Sequence, residues 1–312
     1  MTEEGKKGKK PLCYVGIAMH PEARRKLEEK YDVTEDGAGI GEASAAICYG
    51  VPKEWTTWGA AEHLRAIGCH SCGEEELQWV KQQGIRLTLA DSLWRTVAEH
   101  TLALMMAAAR NLIPADREIR EGKWQEHVRI KERFSGFDFQ GKTLGILGMG
   151  QIGSQLADMV RGFRMRVLYH DIVRLPEEAE RELEISFTDF EGLMEQSDYL
   201  CILVPLVEET RGLVGREAFA RMKRGCILVN TARAGILDEE AFLEALADGT
   251  LGAAALDVFW DEGCTQKKEL TERKNVVLTP HLGGSTLECD MALVRGVTEG
   301  MEGESGERPV FE

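Results

Sequence analysis

Short apolar runs alternate along this chain with charged, amphipathic stretches, and that rhythm predicts its elements. CYVGIA (Cys13–Ala18) predicts a strand, and Pro21 then opens a charged helix to about Lys30. ASAAICYG, LRAIGC and IRLTLA predict further strands, with a helix, EEELQWVKQQ, between Gly73 and Gly84. Thr96–Leu112 is apolar nearly all round, which predicts a helix buried in the protein or in a subunit interface. A polar stretch follows Trp124 as far as Phe139. A second series then begins: TLGILGMG, a helix, RVLYHD, CILVPL, GCILVN, AALDVF and NVVLTP. Those six strands with intervening helices make a complete doubly wound sheet. A final helix from about Ser285 to Met301 is placed to pack back on the first domain. Strands alternating with helices imply parallel units, so the expected class is α/β with two doubly wound parallel-sheet domains. The boundary falls near Asp91–Trp94, giving one domain of residues 94–285 and another of 1–93 with 286–312.

A length of 312 residues agrees with about two domains. The net charge of −15 sets the chain against phosphate backbones and anionic lipid, so neither nucleic acid nor a membrane is an expected partner. The longest apolar run, Leu102–Ala109, is far shorter than a membrane span. The N-terminus, MTEEGKKGKK, has no apolar core and reads as a solvated tail. Eight cysteines without a signal segment read as reduced thiols in the cytoplasm. Cys69-x-x-Cys72 with His70 has no second pair at zinc spacing, so no metal site is expected. Glu74–Glu76 reads as an acidic first turn of a helix.

Gly148, Gly150 and Gly153 in LGILGMGQIG form G-x-G-x-x-G between an apolar strand and a helix, the context that a dinucleotide site needs. Gly148 permits the tight turn, Gly150 lets backbone approach a pyrophosphate, and Gly153 lets helix and strand pack closely. Gln151 and Ile152 open the helix whose free N–H groups meet the phosphates. Asp171 ends the next strand, at the spacing of the ribose-binding acid, so NAD is favoured over NADP. Arg174, three residues on, is a cation that would soften this preference.

Three strand exits in the second half carry Arg233, Asp257 with Glu262, and His281. Ligands bind outside the carboxyl ends of parallel strands, so these groups are placed to meet one cofactor. Arg suits an anionic substrate, His suits acid/base work near neutral pH, and Glu orients the imidazole.

With these residues in view, the chain resembles the D-isomer-specific 2-hydroxyacid dehydrogenases from about Leu64 onward. The resemblance rests on TVAEHTLALMMAAAR, GKTLGILGMGQIG, VPLVEETRGLVG, VNTARAGILDEEAFLEAL, ALDVFWDE and TPHLGGST. It implies a Rossmann cofactor domain inserted in a smaller flavodoxin-like substrate domain, NAD as cofactor, and a homodimer built on Thr96–Leu112. It implies Arg233 as the substrate-binding Arg, His281 as acid/base and Glu262 as its partner. It also implies that Asp257 contacts the nicotinamide carboxamide, that Val204, Pro205, Thr231 and Ala232 line the cofactor, and that Gly283 and Gly284 lie beside it. Cys72 and Gly73 stand in the loop whose backbone N–H groups hold the substrate's anionic end. That loop reads Ser71, Cys72, Gly73, Glu74, Glu75, Glu76, unlike the family's usual G-x-G-x-D-N-I-D, and Glu262 is followed by Gly263 where Pro is usual. Between Tyr31 and Tyr49 the first domain looks trimmed by a helix. A D-2-hydroxyacid or 2-oxoacid is the expected substrate. Phosphite, used by one branch of the family, and a non-catalytic NAD-sensing role stay open as alternatives. His100 reads as a core or interface residue and His170 as a neighbour of the adenine.

Overall fold

The computed structural model describes residues 10–56, 62–90, 92–261 and 267–302. The chain divides into two compact units, residues 1–96 with 284–312 and residues 97–283. In the first, β1 (Leu12–Val15), β2 (Asp32–Thr34), β3 (Ala45–Gly50), β4 (Ala66–Ser71) and β5 (Arg86–Leu89) form an all-parallel sheet in the order β2-β1-β3-β4-β5. This is the flavodoxin-like order. The final helix, Leu287–Glu302, lies on β3, β4 and β5 and buries Leu293 and Val297 completely.

The second unit is a seven-stranded parallel sheet. Its strands are β6 (Thr143–Leu147), β7 (Arg166–His170), β8 (Ile185–Phe187), β9 (Tyr199–Ile202), β10 (Cys226–Asn230), β11 (Leu251–Leu256) and β12 (Val276–Leu278). Their order is β12-β11-β10-β9-β6-β7-β8, and the chain reverses direction across the sheet between β6 and β9. Helices cover both faces, so every residue of β6, β9 and β10 is buried; this is why those strands read as unbroken apolar runs rather than alternating ones.

Two expectations are corrected. The sheet has seven strands rather than six, because Ile185–Phe187 adds an edge strand beside β7. The long helix runs Leu93–Ala109 and stops where Asn111 turns left-handed (φ 50°), and Leu112–Arg120 forms a separate helix. Within the polar stretch after Trp124, His127–Arg133 is helical. Between β2 and β3 the chain makes only a 3-10 turn, Gly37–Glu42.

Candidate cofactor and catalytic site

The glycine turn leaves β6 at the sheet's reversal point. Gly148 has φ +100°, and a β-carbon there would meet the backbone of Val204 and Leu203 at 2.7–2.9 Å. Only glycine satisfies both conditions. A β-carbon at Gly153 would collide with the Gly148 carbonyl, so this glycine sets the close approach of the helix Gln151–Val160. Gly150 is different: it is exposed, caps that helix with no side-chain bond, and a β-carbon on it would meet nothing within 4 Å. The turn therefore keeps an open cradle above a helix N-terminus, which fits a pyrophosphate. Gln151 is exposed and Ile152 half-buried beside it. Asp171, just past β7, is tied into the same turn, where Oδ2 accepts from the Met149 N–H at 2.7 Å. Ile172 and Val173 next to it are 97% and 68% exposed, an apolar shelf beside Asp171.

Arg233 leaves the end of β10 on a turn fixed by Asn230. The fully buried Asn230 side chain donates to the Arg233 carbonyl (3.0 Å) and accepts from the Ala232 N–H (3.0 Å). The Arg233 side chain is exposed, its Nη1 reaches only the neighbouring Ala232 carbonyl at 2.7 Å, and it makes no ion pair among the described residues. Thr231 is buried, with its hydroxyl 2.7 Å from that of Thr101. Val204 and Pro205 follow β9 across the reversal point from the glycine turn.

His281 is held by a polar clamp. It is half-buried with φ +55°, a left-handed conformation uncommon for a non-glycine residue and typical of functional sites. Asp257, 1% exposed at the end of β11, accepts from the Leu282 N–H at 2.8 Å and the Gly283 N–H at 2.7 Å. Its Oδ1 also accepts from the Thr279 hydroxyl at 2.6 Å and lies 3.3 Å from His100 Nε2. Burial pushes the Asp257 carboxyl up, but the donors of His100, Thr279 and Leu282 outweigh it and hold the carboxyl below its ordinary range. His100 Nε2 is also 3.2 Å from Thr279 Oγ1, whose proton is committed to Asp257, so Nε2 carries a hydrogen.

Among the remaining predicted positions, Glu262 lies outside the described residues. Gly284 belongs to the five-stranded unit, packed against Leu93 and His70. Cys72 is half-buried and Gly73 caps the helix Glu74–Gln82, with the Glu76 carboxylate folded back over Gly73. Burial, then the Glu76 charge, raises the Cys72 thiol above its ordinary range, so it is not an activated thiolate. No cluster of metal-ligating side chains occurs among the described residues. His170 turns its Nδ1 to the Thr188 carbonyl at 3.0 Å and packs on Phe187 and Phe190. Sequence reasoning missed Asn230, Thr279, His100 and Thr101. A readable signal existed for the first two, as a polar residue closing a buried apolar strand must find a partner.

The sequence profile of the D-isomer specific 2-hydroxyacid dehydrogenase NAD-binding domain matches residues 102–283. The chain belongs to the D-isomer-specific 2-hydroxyacid dehydrogenase family. It is 38% identical over 255 residues to a glyoxylate reductase of Korarchaeum cryptofilum, covering 80% of this chain and 76% of that protein. It is 38% identical over 235 residues to a hydroxypyruvate reductase of Thermotoga maritima, covering 74% of each. Among solved structures, a protein from Thermus thermophilus superposes with a TM-score of 0.78 at 31% identity, covering 96% of this chain and 100% of that one. The holo form of D-mandelate dehydrogenase from Rhodotorula graminis superposes at 0.73 with 26% identity, covering 92% of each. As a member of this family the chain is an NAD-dependent oxidoreductase, and the residues that match the NAD-binding profile fall within the unit of residues 97–283.

Proposed function

We propose that this dehydrogenase interconverts a small 2-oxoacid and its D-2-hydroxyacid, with glyoxylate and hydroxypyruvate as the first candidates. The observation that carries this reading is Arg233, a guanidinium without an ion pair among the described residues, held out at a strand exit by Asn230. A guanidinium that meets no carboxylate among the described residues and donates only from Nη1 to the Ala232 carbonyl keeps donors for a substrate carboxylate. The names of the glyoxylate and hydroxypyruvate reductases support this choice.

Bound NAD supplies the hydride chemistry. The chain's own residues do the rest. Gly148, Gly150, Gln151, Ile152 and Gly153 receive the pyrophosphate, and Asp171 accepts the adenosine ribose hydroxyls. Val204, Pro205, Thr231, Ala232 and Gly283 line the nicotinamide end, with Asp257 addressing the carboxamide. Arg233 orients the carboxylate. His281 gives a proton to the carbonyl oxygen in reduction and takes it back in oxidation, with Glu262 orienting the ring. Cys72 and Gly73 offer backbone N–H groups to the anionic end. The two functional divisions are residues 94–285 for the cofactor and 1–93 with 286–312 for the substrate.

We also assign a homodimer and a cytoplasmic home. Leu112, Ile113, Trp124, Val128 and Phe137 are each 50% or more exposed within one stretch, an apolar surface that suits a second copy. All seven described cysteines are free thiols, as a reducing compartment would keep them.

The test is NADH turnover with glyoxylate, hydroxypyruvate, pyruvate, D-3-phosphoglycerate (oxidation) and phosphite (oxidation). Turnover of a 2-oxoacid supports the reading, and turnover of phosphite alone overturns it. Arg233→Ala should raise KM for the active substrate and leave NADH affinity unchanged; an unchanged kcat/KM would remove Arg233 from the site.

A further inference from the structure

Arg174 follows the ribose acid by three residues. A cation close to this acid is what accommodates a 2′-phosphate in NADP-binding sheets of this kind. The loop after β7 is pinned at three successive points. The Val173 N–H donates to Asp171 Oδ1 at 3.2 Å, and the Leu175 N–H donates to the Tyr169 hydroxyl at 2.8 Å. Between them the Arg174 guanidinium makes a two-point fork to Glu180, Nε to Oε1 and Nη2 to Oε2, both at 2.9 Å. The Tyr169 hydroxyl donates to the same Glu180 Oε1 at 2.7 Å. Arg174 also rests over the Phe187 ring, with its guanidinium carbon 5.6 Å from the centroid.

Glu180 is the buried partner, its side chain 10% exposed against 55% for Arg174. Hydrogen bonds from Arg174 and Tyr169 hold its carboxyl down to about 2, so it is ionised wherever the enzyme works. The fork uses both edges of the carboxylate and two of the guanidinium's three nitrogens. A 2′-phosphate would have to compete with this bond for Arg174.

We propose that Glu180 is a specificity-determining residue that withholds Arg174 from the nucleotide's 2′ position, so that Asp171 alone meets it and NADP is rejected. This rests on reading Asp171 as the ribose partner. The selectivity is thus divided: Asp171 repels the phosphate, and Glu180 denies it a cation.

The test compares wild type with Glu180→Gln, Arg174→Ala and the double variant. Kd for NADH and NADPH is measured by fluorescence, alongside the ratio of kcat/KM for the two coenzymes. Gln keeps the shape and a partner for the Tyr169 hydroxyl, and Glu180→Ala serves if the Gln variant folds poorly. Glu180→Gln should shift the NADPH:NADH ratio toward NADPH by about tenfold or more, the worth of one hydrogen bond between charged groups. Arg174→Ala alone should leave the ratio as in wild type, and in the double variant the gain should vanish. A ratio unmoved in both Glu180 variants, or a gain that survives loss of Arg174, overturns the proposal. A wild type that binds NADPH as well as NADH overturns the Asp171 reading and this one with it, a result distinct from the first.

Discussion

Asp257→Asn tests how the loop carrying His281, the proposed acid/base, is held. The wild-type carboxylate accepts from Thr279 (2.6 Å), Leu282 (2.8 Å) and His100 (3.3 Å) on Oδ1, and from Gly283 (2.7 Å) on Oδ2. Asparagine has one acceptor oxygen. Set toward the donors on the Oδ1 side, it turns its own N–H onto the Gly283 N–H; set the other way, it abandons Thr279 and Leu282. The first arrangement leaves a buried donor unmatched, which costs ~1–3 kcal/mol. If that cost falls on the conformation of residues 281–283, kcat/KM drops about 5- to 150-fold, at ~1.4 kcal/mol per tenfold. The assay is NADH consumption with glyoxylate, on protein whose circular dichroism matches wild type, with NADH Kd measured in parallel. Thr279→Val separates the clamp from any contact of Asp257 with the cofactor, since it removes one donor and leaves the carboxylate in place. It should lower kcat with NADH affinity kept. A Thr279→Val enzyme indistinguishable from wild type, beside a slow Asp257→Asn enzyme that has also lost NADH affinity, would show that Asp257 acts on the cofactor and not on the loop.

Gly150→Ala should leave the apoprotein's Tm unchanged, because φ is −79° and the β-carbon meets nothing, yet weaken NADH binding; Gly153→Ala should instead cost ~1–3 kcal/mol of stability, since its β-carbon strikes the Gly148 carbonyl. Sedimentation should report a dimer, and Ile113→Asp, at a side chain 50% exposed, should shift it toward monomer; a monomer in wild type would remove the interface. Glu118 is 4% exposed and bonded by Lys123 and Lys274, which with Arg133 hold its carboxyl at about 2 against an ordinary 4.5. The stabilisation from its charge is therefore present above 4.5 and lost as pH falls toward 2, so Glu118→Gln should flatten that acid limb of the Tm–pH curve.

Much of the fold was legible because parallel strands covered on both faces must be apolar throughout. TLGIL and CILVN could hardly be anything else. The strands that escaped notice, Asp32–Thr34 and Ile185–Phe187, are two of the four sheet edges. Each is three residues long, and DVT and ISF are interrupted by polar residues, so neither carries the continuous apolar run that marks the edge strand Val276–Leu278. The end of the long helix was misplaced for a similar reason. Leu112 and Ile113 continue the apolar pattern, but the left-handed turn at Asn111 had already broken the helix, and both side chains are half-exposed. The glycine turn was legible because each of its glycines answers a local backbone demand. His100 was read as a core or interface residue because its partners, Asp257 and Thr279, are more than 150 residues away in sequence.

A common device links the parts of the site that sequence reasoning missed. The turns bearing the proposed chemistry have little apolar side chain of their own to bury, and packing alone would not fix them. Each is tied instead by one carboxylate or carboxamide at a strand end to the backbone N–H groups it must position. Asn230 ties the Arg233 turn, Asp257 the His281 loop, and Asp171 the glycine turn and the residue two beyond itself. Such a tie depends on acceptor count and not on volume. Exchanging Asp and Asn at these strand ends therefore changes side-chain volume hardly at all and leaves the buried sheet residues beneath untouched, while at Asp171 and Asp257 it removes an acceptor from a backbone N–H and at Asn230 it removes the donor that meets the Arg233 carbonyl. The site can lose its geometry while the fold keeps its core. In this fold the stability of the sheet and the precision of the site are carried by different residues, the apolar strand interiors and the polar strand ends, and a substitution can separate them.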